Sequence, residues 1–413
     1  MKSRLLAYAT VALSLLISPH SGGTQTESVD PGLTAHEWGT FTSIAGRDGQ
    51  AVRWLPLTGS TDLPGFVEYF RGASFKLGLS GTVRMETPVL YFYAAHETNV
   101  SVKVAFSKGL ITEWYPHASR VEPAGPLTDV SLYQKAAEGN IAWDSVTVEP
   151  GSTADLPRED LANHYYAARG TSASPLRVMT ARGEQREKFL FYRGVATFRV
   201  PISVRLLPDG KLMAESQSDH EIPAMLLYER RGEKLGYRVI GALQNEATLD
   251  PPELTATMDS LSRDVEEMLV AQGLYLDEAR AMFETWRDSW FEEGSRLLYL
   301  VPRAFVDTIL PLSIHPVPVK TVRVFVGRLE LVTPVTQRDI EQALASHDRA
   351  TIERYGRFLA PILETMIEKE KYPARAGQLR EYLDTFYSSQ VAQNLQGQKG
   401  GQPRQLDRNR NAP

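Results

Sequence analysis

The stretch LDEARAMFETWRDSWFEEGSRLLYLVPR, residues 276–303, holds a helix, a glycine stop and a buried strand in one continuous run. In its first half apolar side chains recur at steps of three and four, as on one face of a helix: Ala279, Met282, Phe283, Trp286 and Trp290. This pattern predicts a helix that begins with Asp277 as its N-cap and packs its apolar face against a core. Gly294 ends the pattern, and Leu297–Val301 before Pro302 predicts a strand.

The chain before this stretch is typical of β structure, and the chain after it is typical of helices. Strict alternation in Val100–Phe106 predicts a half-buried strand, and the turn Pro208–Gly210 predicts a hairpin. From Thr336 onward the apolar residues recur at helical spacing. We therefore expect an α+β fold: a mainly antiparallel β, sandwich-like N-terminal and central part, followed by a helical C-terminal part.

Changes in composition divide the chain into six expected segments. They are a signal peptide (1–23), a β-rich domain (24–150), a second β-rich segment (151–250), a helix pair with return strands (251–335), a helical C-terminal segment (336–388) and a disordered tail (389–413). Asp250, Pro251 and Pro252 mark the boundary before the helix pair. Gln, Asn, Gly and Arg dominate after Ser388, and such a composition offers too little apolar surface to offset the entropy of ordering.

The N-terminus has the layout of a Sec signal peptide. Lys2 and Arg4 precede the apolar run Leu5–Ile17, and small or helix-breaking residues follow it. The run is short for a transmembrane helix, although an uncleaved anchor is the alternative. Cleavage between Ser21 and Thr26 would leave no transmembrane segment, so we expect a periplasmic or secreted bacterial protein.

The overall composition is that of a globular protein with a large core. The chain has 413 residues, of which 42% are hydrophobic and 23% are charged. It contains no cysteine, which excludes disulfides, thiol catalysis and cysteine-ligated zinc. The net charge is -5 and the pI is about 6.0, so we expect no nucleic-acid partner.

The first candidate site is His36 with Glu37, near the start of the mature chain. His36, Glu86 and His164 are the candidate metal ligands, and zinc is the cofactor that suits imidazole and carboxylate donors. Glu37 is a candidate catalytic base, although adjacent strand residues face opposite sides of a sheet. The spacing matches no zinc motif, and a histidine that bonds to the backbone or lies in a strand-edge pair is the commoner use.

Two further groups could line a pocket or simply pack. On the predicted helix that Gly294 ends, Asp288 and Glu292 are candidate catalytic carboxylates beside a tryptophan platform for a glycan, since paired carboxyl groups hydrolyse glycosides. A stripe of this kind more often belongs to the core. The group Asn163–Tyr166 with Arg169 could hold an anion or a sugar, or it could cap the end of a sandwich.

Three blocks of sequence resemble a family of exported bacterial proteins. The blocks are HEWGTFTS (His36–Ser43), EKFLFYRG (Glu187–Gly194) and TWRDSWFEEG (Thr285–Gly294). The resemblance would span most of the mature chain. It implies export and carries no activity, cofactor or site residue to this protein.

Two hypotheses for the function remain open. The first is a periplasmic or secreted binding or envelope-associated protein, with an envelope protein or a glycan as partner. The second is a hydrolase that acts with a metal or on a glycan. The first is favoured because no candidate catalytic group has diagnostic spacing.

Overall fold

The computed structural model describes residues 29–57, 63–69, 79–123, 138–160, 163–181, 183–355 and 358–400. The expected signal peptide and its cleavage position lie outside these residues. No helix in the described ranges is both long and apolar enough to cross a membrane.

The strands and helices follow one another in chain order. The strands are β1 (Val29–Ile44), β2 (Glu68–Tyr69), β3 (Val83–Ala94), β4 (Thr98–Ser107), β5 (Gly109–Tyr115), β6 (Arg120–Glu122), β7 (Glu138–Val148), β8 (Leu176–Thr180), β9 (Gly183–Glu187), β10 (Leu190–Ala196), β11 (Ile202–Leu206), β12 (Leu212–Ser216), β13 (Met225–Arg231), β14 (Lys234–Ile240), β15 (Glu246–Leu249), β16 (Gly294–Leu300), β17 (Leu312–His315) and β18 (Val317–Leu331). The helices are α1 (Met258–Ala271), α2 (Leu276–Trp290), α3 (Arg303–Ile309), α4 (Pro334–Ser346), α5 (Arg349–Glu353), α6 (Leu359–Lys369) and α7 (Pro373–Gly400), with a 3-10 helix at His164–Arg169.

A nine-stranded sheet forms the centre of the molecule, in the order β14-β13-β16-β18-β1-β3-β10-β5-β2. Its long middle strand β1 pairs antiparallel with β3 and parallel with β18, so that His36 lies between Tyr91 and Val322. The other strand pairs described in this sheet are antiparallel. The sheet takes strands from all three segments expected at 24–150, 151–250 and 251–335. The predicted α+β fold class is confirmed.

One face of this sheet packs against two smaller sheets. The six-stranded sheet has the order β17-β4-β7-β8-β9 with β6 beside β7, and the three-stranded sheet has the order β11-β12-β15. Ala35 and Phe41 of β1 point into the core between them, and so do the alternate residues Val102 and Val104 of β4. The alternation expected at Val100–Phe106 thus buries one face of β4, because the core lies on that side only.

Helices cover the opposite face of the central sheet. Trp38 of β1 packs there in a core with Leu261 of α1 and with Phe283, Trp286 and Trp290 of α2. The helical stripe in the sequence is therefore the face that α2 turns toward the sheet.

The C-terminal helices pack around a third core at one end of β1. Ile44 of β1 and Trp54 lie in it with Ile340 of α4 and Leu363 of α6. The ring of Phe358 stacks on Trp54 at 5.7 Å. The last helix continues to Gly400, beyond the tail boundary expected at Ser388, and residues 401–413 lie outside the described part of the chain.

The start of α2 differs from the expectation. Tyr275 is the N-cap, and Asp277 lies in the first turn. The Glu278 carboxylate accepts the backbone N–H of Tyr275 at 2.7 Å, so the third residue of the helix provides the cap. Asp277 accepts the backbone N–H of Ser172 at 2.7 Å instead and ties the helix to the segment after the 3-10 helix.

Candidate functional site

His36 lies at the interface between the central sheet and α2. Its Nδ1 is 2.8 Å from Oε2 of Glu278, and both side chains are fully buried. The Tyr93 hydroxyl donates to Oε1 of the same carboxylate at 2.8 Å. The ring of Tyr275 lies 4.5 Å from the imidazole, and Nε2 of His36 has no hydrogen-bond partner among the described residues. A carboxylate on one ring nitrogen and a bare second nitrogen favour the tautomer with its proton on Nδ1.

Glu37 points to the other face of β1, as the strand alternation requires. Its Oε2 accepts from Nε of Arg323 at 2.6 Å, and its Oε1 accepts from the Tyr192 hydroxyl at 2.5 Å. Arg323 also donates to Asp307 at 2.8 Å. Burial alone would lower the pKa of Arg323, but the carboxylate of Glu37 holds that pKa above its usual value. One oxygen of Glu37 is thus held in a buried ion pair and the other in a hydrogen bond with Tyr192.

Glu86 lies on β3, away from His36. The Thr42 hydroxyl donates to its Oε2 at 2.6 Å, and Nε of Arg84 lies 3.4 Å from its Oε1. Glu86 faces Thr40 in the strand register, four residues farther along β1 than His36, which is about 13 Å. Glu86 and His36 therefore bind different partners at different levels of the sheet.

Buried charges lie on five strands of the central sheet, from the level of Glu86 opposite Thr40 to that of Glu330 opposite Ile44, and we call them the charge belt. Its members are Arg296 of β16, Arg328 and Glu330 of β18, Arg84 and Glu86 of β3, Arg193 of β10 and Glu113 of β5.

Two parts of the belt pair opposite charges on neighbouring strands, one on each side of β1. Arg296 and Arg328 both bind Glu330, at 2.9 and 3.1 Å. Arg193 lies opposite Glu113 in the register of β10 and β5. It also donates to the hydroxyl of Thr87, whose backbone is left-handed at φ 46°. The belt pairs opposite charges on adjacent strands, which stabilises the sheet register.

The candidate carboxylates Asp288, in α2, and Glu292, just after it, lie in different surroundings. Glu292 accepts from Arg328 at the edge of the charge belt, at 2.6 Å. Burial would lower the pKa of Arg328, and Glu292 with Glu330 raises it. Asp288 is exposed on the outer side of the helix. A glycan platform needs open ring faces, but Trp286 and Trp290 are 2% and 0% exposed and stack on each other at 6.3 Å. These rings belong to the core.

His164 begins the 3-10 helix, and its ring lies 6.1 Å from that of Trp286. The structure does not bring it together with His36 and Glu86, and the described residues hold no group of three His, Asp or Glu side chains that could bind a metal. The aromatic group that follows His164 surrounds an ion pair, because Glu187 binds Arg169 at 2.6 Å and accepts from Tyr165 at 3.0 Å. Burial raises the pKa of Glu187, and Arg169 partly opposes the rise.

An open cleft of about 370 Å³ lies beside the first turn of α2. Its lining includes Tyr93, Gly151, Ser152, Ser172, Ser174 and Lys188. Tyr93 connects the cleft to the buried pair of His36 and Glu278, because its hydroxyl bonds to that carboxylate. Small polar side chains in a concave wall are suited to hold a ligand by hydrogen bonds.

Lys188 is the charged residue in this lining. Its ammonium donates to the carbonyl oxygen of Thr171 at 2.5 Å. Burial lowers the pKa of Lys188, while the carboxylates of Asp277 and Glu187 act in the opposite direction. The cleft therefore combines hydroxyl groups with a half-buried cation.

The sequence analysis missed the cleft and its link to the helix. Lys188 belongs to the block Glu187–Gly194, but a lysine without a spacing pattern predicts no site. Glu278 was not among the candidate site residues. Its position three residues after Tyr275 is a capping signal. Its other partner, His36, lies 242 residues away, and no local sequence pattern indicates that contact.

Comparisons with known proteins leave the function open. No family model matches the chain, and no curated protein matches it in sequence. Among solved structures, the yeast delta-COP-I mu-homology domain matches with 9% identity and a TM-score of 0.27, covering 72% of this chain and 96% of that one. The same domain in complex with a Dsl1 WxWxV peptide matches with 8% identity, the same TM-score and the same coverage. A likeness at this level supports no argument about fold or function.

Proposed function

We propose that the protein is an exported bacterial binding or envelope-associated protein that holds a small polar ligand in the cleft of Tyr93, Ser152 and Lys188. The observation that carries this proposal is the cleft itself. It is open, its lining is rich in hydroxyl groups, and one half-buried cation faces it. Ligand sites are usually preformed concave surfaces with a few polar groups that fix orientation.

Two of the three carboxylates proposed for hydrolysis already bind other side chains. This supports a binding protein over a hydrolase indirectly. Glu37 and Glu292 each bind a buried arginine at 2.6 Å. A general acid or base must reach the proton that it transfers, and Glu37 is fully buried. Asp288 is exposed but has no second carboxylate described across a cleft from it. The binding hypothesis needs no rearrangement of these pairs.

The binding part of the proposal is tested by ligand retention. Protein purified under native conditions after export from a bacterial host is denatured, and the released small molecules are identified by mass spectrometry. Ser152→Trp places an indole in the cleft, and Met179→Trp adds the same group at a site that is 66% exposed on β8. We expect the first variant to lose the ligand and the second to keep it. Equal retention by both variants would rule out the cleft as the binding site.

The export part is tested separately by the mature N-terminus. The full chain is expressed in a bacterium, and the periplasmic fraction is analysed by intact mass. We expect a mature chain that begins between Ser21 and Thr26, because the charged flank and the apolar run precede this region. Recovery of the chain with its original Met1 in the cytoplasmic fraction would contradict export.

A further inference from the structure

We infer that the ligand of the cleft carries an anionic group, either a carboxylate or a phosphate, that pairs with the ammonium of Lys188. This inference rests on the proposed function, since it names the chemistry of the molecule that the cleft binds. Three features support it: the hydrogen bonds left open on Lys188, the partners already held by the nearby acids, and the hydroxyl groups around the ammonium.

The ammonium of Lys188 has unused hydrogen-bonding capacity. It has three N–H donors, and in the described part of the chain it makes one hydrogen bond, to the carbonyl of Thr171. No carboxylate among the described residues lies within 4.0 Å of it. A half-buried ammonium loses hydration, and the Thr171 carbonyl replaces only part of it, so burial lowers the pKa of Lys188. An anionic ligand would supply the absent partner.

The acidic groups nearest to Lys188 are bound elsewhere. Glu187 holds Arg169 in an ion pair at 2.6 Å and also accepts from Tyr165. Asp277 accepts the backbone N–H groups of Ser172 and Glu278, at 2.7 and 2.9 Å. Both acids raise the pKa of Lys188 at longer range, but burial outweighs them. They therefore oppose the loss of the ammonium proton without occupying its donors.

The rest of the lining suits oxygens of an anion. Ser152, Ser172 and Ser174 line the same cleft as Lys188, and each serine carries a hydroxyl donor. Hydrogen bonds from a charged donor to a carboxylate or phosphate are roughly twice as strong as neutral ones. Lysine binds such groups as a compact point charge. One ammonium with several hydroxyl groups is therefore sufficient to bind a ligand group that carries a single negative charge.

The test is a titration of the full mature protein with inorganic phosphate and, separately, with succinate. Binding is followed by calorimetry and by the NMR signal of the Lys188 side chain in isotope-labelled protein whose lysines are unmodified. Lys188→Gln removes the charge and Lys188→Arg keeps it. Lys211→Gln is the matched control, because the side chain of Lys211 is 43% exposed and pairs with Asp250 at 3.1 Å, away from the cleft lining. Thermal unfolding confirms that each variant is folded.

We expect at least one anion to bind and to raise the pKa of Lys188. Lys188→Gln should weaken the affinity roughly tenfold or more, whereas Lys188→Arg and Lys211→Gln should keep most of it. Affinity should also fall as the pH rises through the pKa of Lys188, which lies below the usual value of 10.5. Binding of phosphate alone would identify a phosphate group, and binding of succinate alone would identify a carboxylate.

Other outcomes separate this inference from the proposed function. The retained molecule could be neutral, lost by the Ser152→Trp variant and kept by the Lys188→Gln variant. That result would contradict an anionic ligand, and the binding function would stand. Equal anion affinity in the native protein and Lys188→Gln would contradict this inference too. Absence of any retained molecule and of any anion binding would contradict both proposals.

Discussion

Replacing Glu37 with glutamine tests whether the HEWGTFTS block serves the fold. The change keeps the shape of the side chain and removes the charge that Arg323 binds at 2.6 Å. Loss of one partner from a buried ion pair costs about 3–5 kcal/mol, because the other charge stays buried. Asp307 remains 2.8 Å from Arg323, but it is 45% exposed and compensates only partly. We therefore expect the free energy of unfolding to fall by about 3 kcal/mol.

The assay is urea unfolding of the mature protein, with Glu233→Gln as the control. Glu233 is exposed in the turn between β13 and β14, so its replacement should change the stability by less than about 0.5 kcal/mol. The double variant Glu37→Leu, Arg323→Met removes both charges and should be less destabilised than the single variant, because apolar residues can replace a buried pair. If Glu37→Gln unfolds like the native protein but no longer binds ligand, Glu37 has a functional role and our reasoning is wrong.

Two further predictions concern the core and the pH dependence of stability. Trp286→Ala should lower the free energy of unfolding by about 3–5 kcal/mol, because Trp286 is buried in the core. As a control, Tyr372→Ala at a 72% exposed site should change the stability little. An unchanged midpoint of thermal unfolding for Trp286→Ala would contradict the assignment to the core. Burial raises the pKa of Tyr115 and of Tyr228 from 10.0 to about 12, so the unfolded chain ionises first as the pH rises. Stability should therefore decline between pH 10 and pH 12. Ultraviolet titration of the folded protein should show tyrosines that ionise near pH 12. Ionisation of every tyrosine near pH 10 would contradict their burial.

The sequence predicts those parts of the fold that have a local period. The helical spacing of Phe283, Trp286 and Trp290 predicted α2, and the alternation in Val100–Phe106 predicted β4, because each pattern follows from one buried face. The parallel pairing of β1 with β18 has no such signal. These strands are far apart in the chain, and only the assembled sheet brings them together.

The candidate site was harder to predict, because the sequence does not show whether a charged residue is buried or exposed. His36, Glu37 and Glu86 were singled out for their chemistry, and the fold gives each a separate partner. Helix α2 brings Glu278 to His36, which depends on how a helix docks on a sheet. Lys188 gains its importance from a cleft that only the three-dimensional structure reveals.

We propose that this protein binds its ligand in the cleft beside α2 and not at the charge belt. The most direct test is a crystal structure of the exported protein purified with its ligand retained. We predict electron density for the ligand between Ser152, Ser174 and Lys188, with an anionic group within hydrogen-bond distance of Nζ. Ligand density against Glu86 and Arg193, with the cleft beside α2 holding only solvent, would contradict the account.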